Sequence, residues 1–171
     1  MPYTDLLRIT VFLTGAEATA LGAITAIAAG RDSDTTTVIV AAAWWLIALV
    51  LGLYLGRPAR AADGVHDALA RARTATSLPQ ESPGWIAAIR LWPIGLTALA
   101  AGILGVIYPG VAAIGAGYAL LVALAMRTRE AAVLGIEHRD GVKFYVVANS
   151  ALRPIELVRT PGLRSDRLHT S

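Results

Sequence analysis

A single carboxylate, Glu17, stands in the middle of a long apolar run from Ile9 to Ala29, and no other residue of the chain invites chemistry so directly. Thr10 and Thr14 precede it at i and i+4 with Glu17 at i+7, a spacing that sets all three on one helical face. If the run crosses a bilayer, Glu17 lies about 15 Å below the near end at a rise of about 1.5 Å per residue. An ionised carboxylate is expensive there, so the group must be protonated, paired or turned toward water inside a bundle. Two roles suit it: a proton or substrate site, or a carboxyl hydrogen-bonded to a neighbouring helix. Arg90, a few residues inside a later apolar run, is the cation to set against it. The spacing allows either a Glu17–Arg90 pair or an Arg90 that snorkels to the headgroups. Pro93 follows closely and predicts a kink, because it frees the carbonyl of Ile89.

A second cluster, Asp63, His66 and Asp67 in ADGVHDALARAR, occupies i, i+3 and i+4 of a short helix that Asp63 would cap. Metal or phosphate coordination is conceivable. A solvated helix with Val65 and Leu69 resting on the membrane surface is the simpler reading. The D-G and A-R pairs resemble part of the CDP-alcohol phosphotransferase signature, but the aspartate expected three residues before Asp63 and the trailing aspartates are absent, and Ala70-Arg71 is displaced. No residue roles are carried across.

Composition narrows the chemistry further. The chain has no cysteine, which excludes structural disulfides, thiolate nucleophiles, iron–sulfur clusters and cysteine-based zinc sites. His66, His138 and His169 fall outside the apolar runs and the one lysine, Lys143, is near the end, so an intramembrane haem or retinal Schiff base is not expected. No cofactor and no metal are expected. The formal charge of +3 rests almost wholly on arginines flanking apolar runs, which suits anionic lipid headgroups rather than nucleic acid.

The elements that must position these residues are four apolar stretches, about 9–29, 36–56, 85–108 and 111–126, each near the roughly 20 residues that span a hydrocarbon core. With 56% hydrophobic and 16% charged residues, the chain reads as an integral membrane protein. Arg8 and the Ala26-Ile27-Ala28 run would also suit a cleaved leader, but a glutamate at its centre and its length favour a retained span. The link 57–84 carries Arg57, Arg60, Arg71 and Arg73, and Arg127 and Arg129 open the tail. The other two links, with Arg31, Asp32 and Asp34 in one and Tyr108 to Gly110 in the other, have no positive excess. Both termini should therefore be cytoplasmic, with the chain in the plasma membrane.

The expected fold is an all-α membrane protein: a four-helix transmembrane bundle over 1–130 and a small cytoplasmic β-hairpin or meander tail over 131–171. Strand-like alternation in VLGIEH, VKFYVV and IELVRT, with Asp140-Gly141 as a hairpin turn, supports the tail. So short a tail must lean on the bundle, the link or another protein. Small residues suggest helix packing: Gly52 with Gly56, the stripe Gly15, Thr19, Gly22 and Ala26, and Ala98 with Gly102. They serve either the bundle itself or a homo-oligomer. Trp44 and Trp45 lie mid-span and fill the bundle, whereas Trp85, Trp92, Tyr54 and Tyr108 read as interfacial anchors. Arg153, Arg159, Arg164 and Arg167 could contact headgroups or an acidic partner, or simply retain the tail. The expected role is an accessory, assembly or interaction protein of a larger membrane complex, with a protein partner or a second copy; the alternative is a small oligomeric transporter or channel using Glu17.

Overall fold

The computed structural model describes residues 1–32, 35–74 and 82–161; Asp34, Arg164, Arg167 and His169 lie outside the described residues. In chain order the elements are α1 (Tyr3–Asp32), α2 (Thr35–Leu55), α3 (Pro58–Ala70), β1 (Arg73–Thr74), α4 (Pro83–Ile107), α5 (Pro109–Met126), α6 (Arg129–Asp140), β2 (Val142–Val146) and β3 (Leu157–Pro161). Four helices are long and apolar enough to cross a membrane, and they contain the four expected spans to within a residue at most ends. Helix α1 starts earlier than its apolar run because its first turn packs elsewhere, as described below. Prolines sit in the first turns of α3, α4 and α5, where a missing N–H leaves no helical bond unmade.

Helix α5 is the centre of the bundle and packs against α1, α2 and α4. Its buried positions are Ala112, Ala113, Ala116, Gly117, Ala119 and Ala123, all small, so neighbouring backbones come close without hydrophobic drive from water. The tightest approach is α2 on α5: a Cβ added at Gly52 would meet Leu124 Cβ at 2.9 Å, and one at Gly56 would meet the Leu124 carbonyl oxygen. Thr128 closes the same junction by donating to the Gly56 carbonyl at 2.8 Å. Gly22 faces Trp45, and Gly102 meets Leu21 and Ile24 at ordinary distance. The expected stripe on α1 is corrected here: Gly15 faces open space, Thr19 and Ala26 are exposed, and Thr14, Leu21 and Thr25 form the packed side. Size alone does not select the contact face; the partner's shape does. Outward side chains such as Ile39, Leu46 and Val50 on α2 and Leu99, Ile103 and Val106 on α4 are large, apolar and exposed, in keeping with helices apolar enough to cross a membrane.

At one end of the bundle the N-terminus, the link and the tail share a single core. Met1, Tyr3, Leu6 and Leu7 of the first turns, Val65 and Leu69 of α3, Ile86 of α4, Val133 of α6, and Val142, Phe144, Val146 and Leu157 of the strands pack together. Each such buried aliphatic contributes about 1.5–3 kcal/mol relative to exposure. The sheet order is β1-β3-β2, with β2 antiparallel and β1 parallel to β3. Pro2 bridges Tyr145, and Val146 N–H donates to the Met1 carbonyl at 2.9 Å. Among the described residues the tail is a hairpin completed by a strand from the link.

Three local expectations change. VLGIEH is helical, not a strand, because Val133 and Ile136 fall on the face that α6 turns to the head core. Asp140-Gly141 is accordingly the end of that helix, with Gly141 in the left-handed region at φ 63° and its N–H capping the Glu137 carbonyl. In the link, α3 begins at Pro58, so Asp63 lies inside the helix rather than at its cap, and Val65 and Leu69 are buried in the head core instead of on a membrane surface.

Candidate functional site

Glu17 projects from the middle of α1 toward α4 and α5, and it is half-buried. It borders two recesses of about 340 Å³ each, one lined by Thr14, Ile94, Thr97, Gly115 and Tyr118, the other by Ile24, Ala98, Gly102 and Val106. Both are partly open, and Glu17 lines both. From Ile94 to Val106 the pair follows α4 for about 18 Å at the helical rise. The groove exists because α4 touches α1 and α5 less closely than those two touch each other.

The expected polar stripe is present but less available than its spacing suggests. Thr10 donates its hydroxyl to the Leu6 carbonyl and Thr14 to the Thr10 carbonyl, both at 2.8 Å. Thr19 and Thr25 do the same along α1, so threonine protons are consumed within the helix. Thr14 shares the Glu17 recess, and Thr10 is not among its lining residues. Thr97 is also spoken for, donating to the Ile94 carbonyl at 2.9 Å.

Arg90 is where the structure departs most from the expectation. Among the described residues it makes no ion pair with Glu17, and it does not snorkel into the open. Its side chain is buried, 9% exposed, and clasps the loop between β2 and β3. One terminal nitrogen donates to the carbonyls of Ser150 at 3.3 Å and Arg153 at 2.8 Å, and the other to Pro154 at 3.2 Å. A guanidinium presents five donors in a fixed fork, which suits several carbonyls of one turn better than it suits a single distant carboxylate. Nothing local in the sequence could reveal this, since the partners are some sixty residues away. Arg153 and Arg159 are exposed on the loop and β3. The loop holds Arg153 by its backbone and leaves its side chain free of the clasp.

Two further polar contacts tie the bundle together. Trp45 donates its indole N–H to the Ala113 carbonyl at 2.8 Å and Trp44 to the Ile114 carbonyl at 3.2 Å. Trp44 also meets Tyr118 edge to face, with ring centroids 5.2 Å apart. The mid-span tryptophans are therefore α2–α5 fasteners as well as filler, and their unusual depth was the available signal. Gly117 accommodates the Trp44 ring, and Gly115 receives Leu21; neither glycine stands out in the sequence. At the head end of α2, the guanidiniums of Arg57 and Arg60 lie 4.8 and 4.3 Å from the Tyr54 ring centroid. Such stacking suits an interfacial tyrosine.

On α3, His66 is exposed, while the side chains of Asp63 and Asp67 lie outside the described part. Among the described residues no three His, Asp or Glu side chains are grouped to hold a metal ion. At the hairpin tip expected from the sequence, Glu137 instead accepts from Phe144 N–H at 2.9 Å, joining α6 to β2. Arg8 and Glu130 pair at 3.0 Å across α1 and α6. No family model, curated protein or solved structure matches the chain.

Proposed function

We propose that this protein is a multi-pass plasma-membrane protein that serves as an accessory, assembly or interaction subunit of a larger membrane complex. The observation that carries the reading is the placement of Glu17, lining two partly open recesses and without a cation against it among the described residues. A carboxyl that faces the bilayer laterally is a group through which a second transmembrane segment can be held, by a hydrogen bond or an opposite charge. The other polar groups at the recess are the hydroxyls of Thr14, Thr97 and Tyr118, which is short of a nucleophile with its base. The arginines at 57, 60, 71, 73, 127 and 129 all border the end that carries the head core, which supports a cytoplasmic head and cytoplasmic termini.

A photoreactive residue at Ala98, on the recess wall, tests the reading in native membranes. The expected product is an adduct with one other membrane polypeptide in constant proportion, kept in Glu17→Gln and lost in Glu17→Leu. Adducts with lipid alone would refute it. The continuous groove also favours a second reading, a small oligomeric transporter with Glu17 as its proton or cation site. That reading requires adducts between copies of the chain and a proton-coupled flux in liposomes that Glu17→Gln abolishes in a folded protein.

A further inference from the structure

The loop that Arg90 clasps has several of its carbonyls tied down by hydrogen bonds, although Arg90 Nε and Asn149 Oδ1 are buried without a partner among the described residues. Its base is closed by Val147 N–H to the Glu156 carbonyl at 3.1 Å, and Arg153 N–H donates to the Ser150 carbonyl at 3.0 Å. Asn149 Nδ2 donates to the Pro154 carbonyl at 3.1 Å, and Pro154 itself has no N–H to satisfy. With Arg90 added, the carbonyls of residues 150, 153 and 154 all have partners. A loop in water gains little from this, because water supplies the same bonds. A loop in the membrane interface needs it, because bare carbonyls are costly where water is scarce.

Position agrees with construction. Helical side chains lean toward the N-terminus of their helix, so the Arg90 guanidinium lies nearer the head than its own Cα. That places the clasped carbonyls between the levels of Trp85 and Trp92, which are 60% and 51% exposed and, at i and i+7, share one face of α4. Tryptophans in such positions mark the headgroup level. At the loop tip Leu152 is 84% exposed and Ile155 45%, with the Arg153 side chain exposed beside them. Exposed apolar side chains at Leu152 and Ile155 at that level, with the exposed Arg153 side chain between them in the chain, match the acyl boundary and the phosphates above it.

We propose that residues 147–156 form an interfacial membrane anchor: Leu152 and Ile155 enter the leaflet beside α4, Arg153 reaches lipid phosphates, and Arg90 is the internal staple that lets the backbone do so. The anchor fixes the head against the membrane surface. It is independent of the Glu17 reading and of which side of the membrane the head occupies.

The absence of cysteine makes the test direct. A nitroxide on Leu152→Cys in the full chain, reconstituted in vesicles of phosphatidylethanolamine and phosphatidylglycerol, is compared with labels on Phe12→Cys, on an exposed apolar position of α1, and on Arg71→Cys, on the exposed head. The measurement is the ratio of relaxation by oxygen, which concentrates in hydrocarbon, to relaxation by a water-soluble nickel chelate. The expected ratio at 152 lies several-fold above that at 71, and Arg90→Met lowers it toward the value at 71. A ratio at 152 equal to that at 71 overturns the proposal. So does a label shielded from both reagents in native membranes yet open to the chelate in vesicles, which would assign the tip to a protein.

Discussion

Replacing Arg90 with Met should free the β2–β3 loop while leaving the bundle intact, because a methionine of similar length fills the space beside α4 but donates nothing. The Ser150 carbonyl keeps the Arg153 N–H and the Pro154 carbonyl keeps Asn149 Nδ2. The Arg153 carbonyl loses its 2.8 Å donor. A bare, partly buried carbonyl costs about 1–3 kcal/mol and each charge-assisted bond is worth about 1.5–3 kcal/mol, with strong overlap among bonds from one guanidinium. About 3 kcal/mol is a reasonable sum, and at about 1.4 kcal/mol per factor of ten this is roughly a hundredfold increase in local opening. Amide hydrogen exchange of the protein in lipid nanodiscs reads it directly, at the N–H groups of Val147 and Arg153, whose bonds close the loop. Exchange at the amides of α5 is expected to stay unchanged. Arg90→Lys should recover part of the protection, since an ammonium is a single point donor. If loop exchange in Arg90→Met matches the original protein, the clasp does not hold the loop and the reasoning fails.

Gly56→Ala should lower the thermal midpoint in detergent sharply, since the added Cβ runs into the Leu124 carbonyl and overpacking costs about 1–3 kcal/mol or more; Gly15→Ala, which faces open space, should be neutral or gain up to about 1 kcal/mol. Val133→Ala, at the centre of the head core, should cost about 2–3 kcal/mol and raise proteolysis of the head before the spans are affected. Gly141→Ala places a side chain at φ 63° and should cost about 1–2 kcal/mol, with Gly141→Asn milder, measured by the same midpoint. Trp45→Phe removes the indole donor to Ala113 and should cost about 1 kcal/mol, without the larger loss expected from Trp45→Ala.

Much of the bundle was legible because crossing a bilayer leaves a mark that needs no partner: a run of apolar residues of fixed length. The ends of α2, α4 and α5 follow from it closely, and Gly52 and Gly56 lie against Leu124 of α5. The head was harder. VLGIEH alternates well enough for a strand, yet Val133 and Ile136 also share a helical face, and a core supplied by α1, α3 and the strands selects the helix. A short apolar segment has no preference strong enough to resist that choice. Asp140-Gly141 suits a hairpin turn and a helix end equally, because both need a residue in the left-handed region.

The sequence by itself determined that the chain has four helices long and apolar enough to cross a membrane, that its arginines gather in the link 57–84 and the tail, and that Glu17 is a carboxyl in an apolar run. These are properties of local composition and period, carried by residues near one another in the chain. Which groups meet was decided by tertiary structure alone. Arg90 could have reached Glu17, the headgroups or another element, and all are compatible with a cation near the end of a span. The fold brings the loop at 150–154 to it, and three carbonyls of that loop take its terminal donors. Glu17 borders the groove while Arg90 is held by the tail, because the fold gives each different neighbours.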